Sequence, residues 1–452
     1  MPKVSIITAA FQAGPTIGRT LASVQAQTFT DFEHIIVDDG STDDTSAIAG
    51  QGAKDDPRIW LLRQSNAGAG AARNAGLAQA RGDWILFLDA DDTLSPDHLS
   101  RLMTHSRSGV DAICCGYVRV GPDGEVISRH PAPELVKGRF ADVTEGPPVI
   151  LHAILLARPL FDRTGAFDTA LRTNEDWDLW VRLTRAGAII AREPRALAAY
   201  WTSSGSLTRG GRRMVEDAAT VLRRMTKPDP RLHAPLALYK NGMAVRDVSG
   251  RILQAAVWSV AAAASVGETP ARLEDIVEPV TGIEGWKDAL TAAVLAGLAV
   301  GSGRRHEDLL ANRATFMDPL TQGLASLEVA AGAPGLAGYL IERLETDLVR
   351  TARLRAPVQI GSTYAVPAAW LLSRTPPMPK GTKRLLLKVG FVRPRSTGLF
   401  VLGANEIASR HAIVAAMTRT LVKRLSDVFK RTVSLTGNRR VQHTGGDMGT
   451  AD

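Results

Sequence analysis

The first 120 residues alternate short apolar runs with segments of helical spacing, and this alternation limits the possible folds more than any other feature of the chain. Between the first two runs, Ile17, Leu21 and Val24 recur at the spacing of one helix face. The predicted strands are Val4 to Thr8, His34 to Val37, Ile59 to Leu62, Trp84 to Leu88 and Ala112 to Val120. Strands that alternate with helices are typical of a parallel sheet with crossover helices. The chain is therefore expected to begin with an α/β domain.

A length of 452 residues exceeds the size at which one hydrophobic core stops growing, so two domains are expected. The segment KPDPRLHAP, residues 227–235, places three prolines among charged residues. Such a segment is typical of a linker. Beyond it the composition becomes rich in Ala and Leu and has helical spacing. We predict an α/β domain over 1–226, a linker over 227–235 and a mainly α-helical region over 236–452.

Composition and charge narrow the class of protein. Apolar residues make up 45% and charged residues 22% of the chain, as in ordinary globular proteins. Cys114 and Cys115 are adjacent, whereas a disulfide framework or zinc site needs several spaced thiols, so a reducing cytoplasm is expected. The net charge of +8 favours anionic substrates or surfaces. Nucleic acid is not expected, because basic residues are not interleaved with aromatic ones and no nucleic-acid-binding motif is present.

No segment of the sequence predicts a membrane-spanning helix or a signal peptide. The N-terminal apolar run meets polar residues too early for a signal peptide, and the longest apolar stretches fall short of the roughly 20 residues that cross a bilayer. Near the C-terminus, residues 417–431 carry Met417, Leu421, Leu425 and Phe429 on one helical face and basic residues elsewhere. This pattern fits peripheral contact with an anionic membrane. A helix that packs on its own domain with a solvated basic side is the favoured interpretation, because amphipathic surface helices are common.

Polar residues follow the predicted strands at their carboxyl ends, which is where open parallel sheets bind ligands. Asp38 and Asp39 follow the second strand, AGAGAARNAG follows the third, and DADD, residues 89–92, follows the fourth. Two carboxylates at the spacing of Asp89 and Asp91 can face one cavity and suit Mg²⁺ or Mn²⁺. The alternative is an acidic turn before the next helix, where Ser95 and Pro96 match an N-cap followed by proline.

The glycine-rich segment lacks the spacing of a dinucleotide-binding fingerprint, so a dehydrogenase is not favoured. Its small residues could instead form a helix that lies close to the sheet. Arg73, within this segment, could then serve as a cation for a diphosphate or be a surface charge.

Two further positions match capping boxes, in which a hydroxyl side chain and an acidic residue three positions later close the start of a helix. Ser41 with Asp44 is predicted to open the second helix. Thr173 with Asp176 matches the same pattern at the start of NEDWDLWVRL, which offers a structural role for Asp176. A helix N-terminus also favours the ionised carboxylate, which leaves Asp176 available to accept a proton. Both interpretations stay open at this point.

Six segments, taken in order, resemble the family 2 inverting glycosyltransferases of the GT-A fold. They are VSIITAAFQ, SVQAQTF, IIVDDGSTDDT, AGAGAARNAGL, WILFLDADD and NEDWDLWVRL. The resemblance covers residues 3–210 and implies an α/β GT-A catalytic domain with a mostly parallel central sheet flanked by helices. It implies sugar transfer from a nucleotide diphosphate, most often a UDP-sugar, to a saccharide or lipid-linked acceptor during polysaccharide synthesis.

The resemblance also implies roles for particular residues. Ala9 and Phe11 would line the nucleobase pocket, Asp39 would pair with the base, Arg73 would lie near the nucleotide, and Asp89 would lie by the ribose. In addition, Asp91 would bind the metal, Mg²⁺ or Mn²⁺, and Asp176 would be the general base that deprotonates the acceptor hydroxyl.

The sequence departs from the family pattern in three places. Phe11 and Gln12 stand where Tyr-Asn is usual, Trp201 stands where arginine is frequent, and Ser203 replaces a frequent histidine. Because that histidine is absent, an alternative function is a catalytically impaired domain that acts as a scaffold in a polysaccharide assembly complex. A sugar nucleotidyltransferase is less favoured, because the loop after the first strand has no cation. None of the nine histidines has metal-ligand spacing with a partner, so none is assigned a role.

Overall fold

Nine strands form the central sheet of the computed structural model, which describes residues 2–202, 211–355, 359–360 and 364–365. The first eleven strands along the chain, nine of them in this sheet, are β1 (Val4–Ala10), β2 (Phe32–Asp38), β3 (Ile59–Arg63), β4 (Trp84–Phe87), β5 (Thr93–Leu94), β6 (Ala112–Val120), β7 (Val126–His130), β8 (Leu135–Val136), β9 (Arg139–Phe140), β10 (Ile154–Ala157) and β11 (Ile190–Trp201). The order across the sheet is β3-β2-β1-β4-β10-β6-β11-β5, with β7 paired to β6. Two small pairs lie outside it, β8 with β9 and β12 (Gln359–Ile360) with β13 (Tyr364–Ala365).

The sheet is mostly parallel, as predicted. Strands β1, β2, β3 and β4 run parallel to one another, and β6 runs parallel to β11. Strands β5, β7 and β10 are antiparallel to the strands they pair with. All five predicted strands are present, as β1, β2, β3, β4 and β6. Their side chains are largely buried, because helices cover the sheet and leave little of it to solvent.

Seven helices lie among the described residues of the α/β part of the chain. They are α1 (Gly14–Gln25), α2 (Thr45–Asp55), α3 (Ala69–Gln79), α4 (His98–Met103), α5 (Leu160–Thr164), α6 (Glu175–Arg185) and α7 (Arg212–Met225). Helix α1 buries Ile17, Leu21 and Val24, the predicted face. Helix α3 packs close to the sheet, because a Cβ at Gly76 would lie 2.5 Å from the Ile7 side chain. The small residues of α3 are therefore required for packing.

Four longer helices follow among the described residues, which confirms the predicted helical character of the chain between residues 236 and 355. They are α8 (Val248–Ala264), α9 (Lys287–Ser302), α10 (Arg313–Ala330) and α11 (Leu336–Arg355). Helices α8 and α9 approach closely, since a Cβ at Gly297 would lie 2.4 Å from the carbonyl oxygen of Trp258. One hydrophobic cluster includes residues of the sheet and of these helices. Within the described part of the chain, no helix combines the length and apolarity that crossing a bilayer requires.

The predicted linker is anchored to the α/β part. Both terminal nitrogens of Arg231 donate to the carboxylate of Asp178 on α6, at 2.9 Å each. Residues Met1–Ala368 form one compact unit. The division into domains at 227–235 stays a prediction.

Two of the predicted helix starts are wrong, because the hydroxyls predicted to cap these helices bond to other groups. The hydroxyl of Ser41 accepts a hydrogen bond from the backbone N–H of Gln12, and α2 begins at Thr45 without a side-chain cap. The hydroxyl of Ser95 donates to Asp97, and α4 begins only at His98. Two other features, Ser203 and the amphipathic segment 417–431, lie outside the described residues.

Candidate active site

The carboxyl ends of β1, β2, β3 and β4 meet at one edge of the sheet, where the predicted functional residues gather. Ala10, at the end of β1, is paired with Asp38, at the end of β2. The segment 64–68 follows β3, and DADD follows β4. Because all four strands are parallel, these segments are brought to the same side of the molecule.

Arg73 connects two separate parts of the site. Its guanidinium donates to Asp89 at 2.7 Å and to Glu175 at 2.5 Å, and only 6% of the residue is exposed. Burial opposes the charge of Arg73, but the two carboxylates outweigh burial and raise its pKa. For Asp89, burial is again the largest influence, yet Arg73 outweighs it and lowers the pKa. The alternative of a surface charge at Arg73 is therefore wrong.

The contact to Glu175 places the start of α6 beside the DADD loop, and Asp176 is the next residue. Asp176 is half-buried. Burial, followed by the neighbouring charge of Glu175, raises the pKa of Asp176 to about 7. A carboxylate of this kind is close to the optimum for exchanging protons at neutral pH.

The capping-box interpretation of Asp176 is wrong. The N-cap residue of α6 is Asn174, in the left-handed conformation with φ 57°, and it makes no side-chain cap bond. The hydroxyl of Thr173 donates to Asp217 instead of closing the helix. One carboxylate oxygen of Asp176 accepts the N–H of Trp177 at 2.7 Å. Asp176 therefore has no reciprocal partner in a capping box.

The DADD loop concentrates negative charge. Burial, followed by the charge of Asp89, raises the pKa of half-buried Asp91 to about 6. Burial also raises the pKa of Asp92, and the charges of Asp91 and Asp89 add to the effect. Asp92 is 1% exposed and accepts the backbone N–H of Trp201 at 2.7 Å. A bound divalent cation would relieve the repulsion among these three carboxylates.

His152, which lies just before β10, places a neutral imidazole beside the DADD loop. Potential ligand atoms of Asp89, Asp92 and His152 all lie within 4.8 Å of one another. The second oxygen of Asp92 has no hydrogen-bond partner among the described residues, although Nδ1 of His152 lies 3.3 Å away. Burial lowers the pKa of His152 to about 4, so its ring is neutral at pH 7, as metal binding requires. Asp91 belongs to the same loop but not to this group of three.

Sequence spacing could not find His152, because it lies 63 positions after Asp89. Strand β10 runs antiparallel to β4 with Leu155 opposite Leu86. The residues that precede β10 therefore lie beside the residues that follow β4. The contact between His152 and the DADD loop arises from the pairing of these two strands, which no local sequence pattern predicts.

Asp39 holds the loop after β3. It is 2% exposed, and it accepts hydrogen bonds from the side chain of Gln64 and from the N–H groups of Ala67 and Gly68 at 2.7, 2.9 and 2.8 Å. Gly68 has φ 95°, and a Cβ there would lie 2.1 Å from a guanidinium nitrogen of Arg172. A glycine is thus required. The contact of Asp39 with a nucleobase stays a prediction.

The other two predicted contributors to a nucleobase pocket lie at the end of β1. Ala9 is half-buried, and Phe11 is 52% exposed. An exposed aromatic ring beside a polar loop can stack on a planar ligand. Their contacts with a base stay predictions.

Trp201 is packed against the rest of the protein. The guanidinium carbon of Arg19 lies 3.7 Å from the centre of the Trp201 ring, and the indole N–H donates to the hydroxyl of Thr93 at 3.0 Å. Arg19 also donates to the backbone carbonyl of Asp91 at 2.8 Å. Arg19 therefore connects the Trp201 ring to the backbone of the DADD loop.

The architecture and the residues at the sheet edge define the class. A mostly parallel sheet with flanking helices, a DADD loop after β4 and a helical C-terminal region constitute the predicted GT-A fold. A model of glycosyl transferase family 2 matches residues 5–165. TuaG of Bacillus subtilis (strain 168), named for teichuronic acid biosynthesis, is 31% identical over 211 residues, which are 46% of this chain and 82% of TuaG. The chain therefore belongs to glycosyl transferase family 2.

Other similarities are partial. The succinoglycan biosynthesis protein ExoO of Rhizobium meliloti (strain 1021) is 34% identical over 226 residues, 46% of this chain and 63% of ExoO. This chain thus spans less than two thirds of the length of that relative. The crystal structure of S. aureus TarS 1-349 aligns with 73% of this chain and 92% of that chain, at 16% identity and a TM-score of 0.42.

Proposed function

We propose that this chain is a metal-dependent inverting glycosyltransferase, which moves a sugar from a nucleotide diphosphate to a hydroxyl of a saccharide or lipid-linked acceptor. The observation that carries the proposal is the double ion pair of Arg73 with Asp89 and Glu175. It joins the loop suited to a cation and diphosphate to the helix that carries Asp176. A donor and an acceptor hydroxyl bound between them would lie next to a carboxylate with a pKa of about 7.

In this proposal Asp176 takes the proton of the acceptor hydroxyl as the oxygen attacks the anomeric carbon of the donor sugar. The new glycosidic bond forms while the bond from the anomeric carbon to the diphosphate oxygen breaks, and the nucleoside diphosphate leaves with the electron pair. Attack from the face opposite the leaving group inverts the anomeric centre. A positioned base of this kind contributes about 10²- to 10⁴-fold to the rate.

The residues of the DADD loop fit a divalent cation. Carboxylate oxygens are the ligands that Mg²⁺ and Mn²⁺ prefer, and Asp91 is the predicted ligand. Support comes from the raised pKa of Asp91, from the Asp92 oxygen that lacks a hydrogen bond within the described part of the chain, and from the neutral ring of His152. When bound, the cation would stabilise the negative charge on the departing diphosphate. Asp89 and Arg73 would orient the donor beside it.

Cation binding is expected to depend on Asp91. The Asp91→Ala protein should bind Mn²⁺ at least about tenfold more weakly than the unmodified protein. Mutation of a group that orients a metal ligand already lowers the affinity by about tenfold or more, and removal of the ligand itself should lower it at least as much. Titration of Mn²⁺ in the presence of UDP, followed by the EPR signal of free Mn²⁺, measures this. Asp97→Asn, a change of a half-buried aspartate nearby whose carboxylate pairs with Arg101, is the control.

His152→Ala decides between the two possible positions of the cation. Weaker binding in Asp91→Ala alone supports the predicted ligand. Loss in His152→Ala alone places the cation in the buried group of Asp89, Asp92 and His152 and overturns the assignment of Asp91. Unchanged binding in both variants would refute metal dependence at this loop.

Transfer is expected to accelerate as the pH rises towards 7, since only the ionised form of Asp176 can accept a proton. Burial and Glu175 raise the pKa of Asp176 to about 7, whereas a bound cation would lower it. The inflection of kcat/KM should therefore lie at or below pH 7, with a tenfold rise per pH unit beneath it. Rates with saturating Mn²⁺ between pH 5 and 8.5 test this. A flat profile down to pH 5 would contradict the assignment.

The function itself is tested by a screen of nucleotide sugars for release of nucleoside diphosphate, with and without Mn²⁺. UDP-sugars are the expected donors, and the names of TuaG and ExoO support a saccharide acceptor in polysaccharide synthesis. Release of diphosphate with an oligosaccharide acceptor supports the transferase. Binding of donor without turnover would favour the scaffold alternative. A cytoplasmic location with peripheral membrane contact stays a prediction, since segment 417–431 lies outside the described residues.

A further inference from the structure

The start of α6 is supported by a carboxylate from another helix. Neither Asn174 nor Thr173 caps α6 with its side chain. Instead, one oxygen of Asp217, on α7, accepts the backbone N–H groups of Arg172 and Thr173 at 2.9 Å each. The same oxygen accepts the hydroxyl of Thr173 at 3.1 Å. Asp217 thus binds the segment that enters α6.

Helix α7 holds this segment at further points. The side-chain amide of Asn174 donates to the carbonyl of Met214 at 3.1 Å. Arg213 donates to Asp217 at 3.1 Å and to the carbonyl of Ala170 at 2.6 Å. Asp217 is 2% exposed, so its charge is balanced by Arg213 rather than by water. Residues 170–174 are therefore fixed to the first turns of α7.

Asp176 lies two positions after Asn174, the end of this segment, and is the second residue of α6. A helix moves as a rigid unit, so a shift of residues 172–174 is transmitted to its first turn. On the other side, Arg73 holds Glu175. The position of Asp176 is thus determined by two anchors, Arg73 and Asp217.

The segment is also connected to the donor side of the site. The guanidinium of Arg172 donates to the carbonyl of Ala67 at 2.7 Å. The N–H of Ala67 is bound by Asp39. The contacts of residues 170–174 therefore extend from α7 to the loop predicted to lie near the nucleobase.

We propose that Asp217 is a positioning residue for sugar transfer, which holds the entry to α6 so that Asp176 lies within reach of the acceptor hydroxyl. This inference rests on the proposed function, because it takes Asp176 as the base. Asp217 contacts neither donor nor acceptor in this role. Its contribution is to the geometry of the reacting groups, where a displacement of about 1 Å can cost on the order of 100-fold in rate.

The test is the Asp217→Ala protein, assayed for transfer with the donor that the screen identifies. We expect kcat to fall on the order of 10- to 100-fold, with the KM for the donor changed less than about twofold, because only orientation is lost. Asp217→Asn should recover most of the activity, since its amide oxygen can still accept the two backbone N–H groups.

A double variant tests whether Asp217 acts on transfer through Asp176. If Asp217 acts through that residue, the Asp176→Asn, Asp217→Ala double variant should be no slower than Asp176→Asn alone. An equal further loss in the double variant would overturn the positioning role while leaving the proposed function intact. Full activity of Asp176→Asn itself would instead refute the base assignment, so the two failures are distinguishable.

Two more variants separate positioning from loss of folding. Val221→Ala truncates a buried residue one turn further along α7 and removes none of the hydrogen bonds to residues 170–174 described above. It should lower Tm without lowering kcat. Thr173→Val removes only a hydroxyl, so it should fold and show a smaller fall in kcat of the same kind. An unchanged kcat in both Thr173→Val and Asp217→Ala would overturn the inference.

Discussion

The Asp176→Asn protein should bind its nucleotide-sugar donor as tightly as the unmodified protein and transfer the sugar about 10³-fold more slowly. The asparagine side chain has nearly the same shape as aspartate but cannot accept the acceptor proton. It can still accept the N–H of Trp177 at the start of α6. Isothermal titration with donor and a single-turnover transfer assay measure the two quantities.

Asp178→Asn is the matched control for this variant. Asp178 lies on the same helix and is 2% exposed, but its carboxylate pairs with Arg182 and Arg231. Its substitution should lower the free energy of unfolding and leave kcat of the folded protein unchanged. A kcat for Asp176→Asn within tenfold of the unmodified value would contradict the role of Asp176 as the base.

Replacing Arg73 with methionine should destabilise the protein by about 3 kcal/mol, because it leaves two carboxylates in the site without their shared cation. Glu175 has 11% and Asp89 has 30% of its side chain exposed, so water can screen Asp89 more than Glu175. The loss of positive charge should also raise the pKa of Asp176 further, since Arg73 lowers it. Urea unfolding at pH 7 measures the free energy.

The comparison variant for Arg73 is Arg101→Met. Arg101 pairs with Asp97 at 3.2 Å, and both side chains are more than 40% exposed. Exposed pairs contribute about 0 to 1 kcal/mol, so this change should have little effect. A loss below about 1 kcal/mol for Arg73→Met would show that the double ion pair does not hold the site together. Arg73→Lys, which keeps the charge but can reach fewer acceptors, should fall between the two.

The local patterns of the sequence predicted the elements that depend on residues close together in the chain. The five predicted strands and the buried face of α1 are present, because burial of a strand or of one helix face follows from apolar spacing alone. The clustering of Asp39, Arg73 and DADD at one edge follows equally from the parallel order of the strands. The helical character of the C-terminal region was readable from its composition.

Local patterns failed where a side chain has a stronger partner far away in sequence. Ser41 and Thr173 match capping boxes, yet their hydroxyls bond to Gln12 and Asp217 instead. A capping box requires only four consecutive residues, so the pattern takes no account of competing groups from other elements. Tertiary packing brings such groups to the site and decides which bond forms.

The sequence by itself determined the family, the mostly parallel sheet and the identity of the acidic residues at its edge. Only the tertiary structure decided that Arg73 is shared by Asp89 and Glu175, that His152 lies against Asp92, and that Asp217 supports the entry to α6. The physical reason is that the pairing of β10 with β4 and the packing of α7 on α6 join residues separated by dozens of positions. The spacing of residues along the chain does not predict those contacts, because they depend on how the whole core is packed.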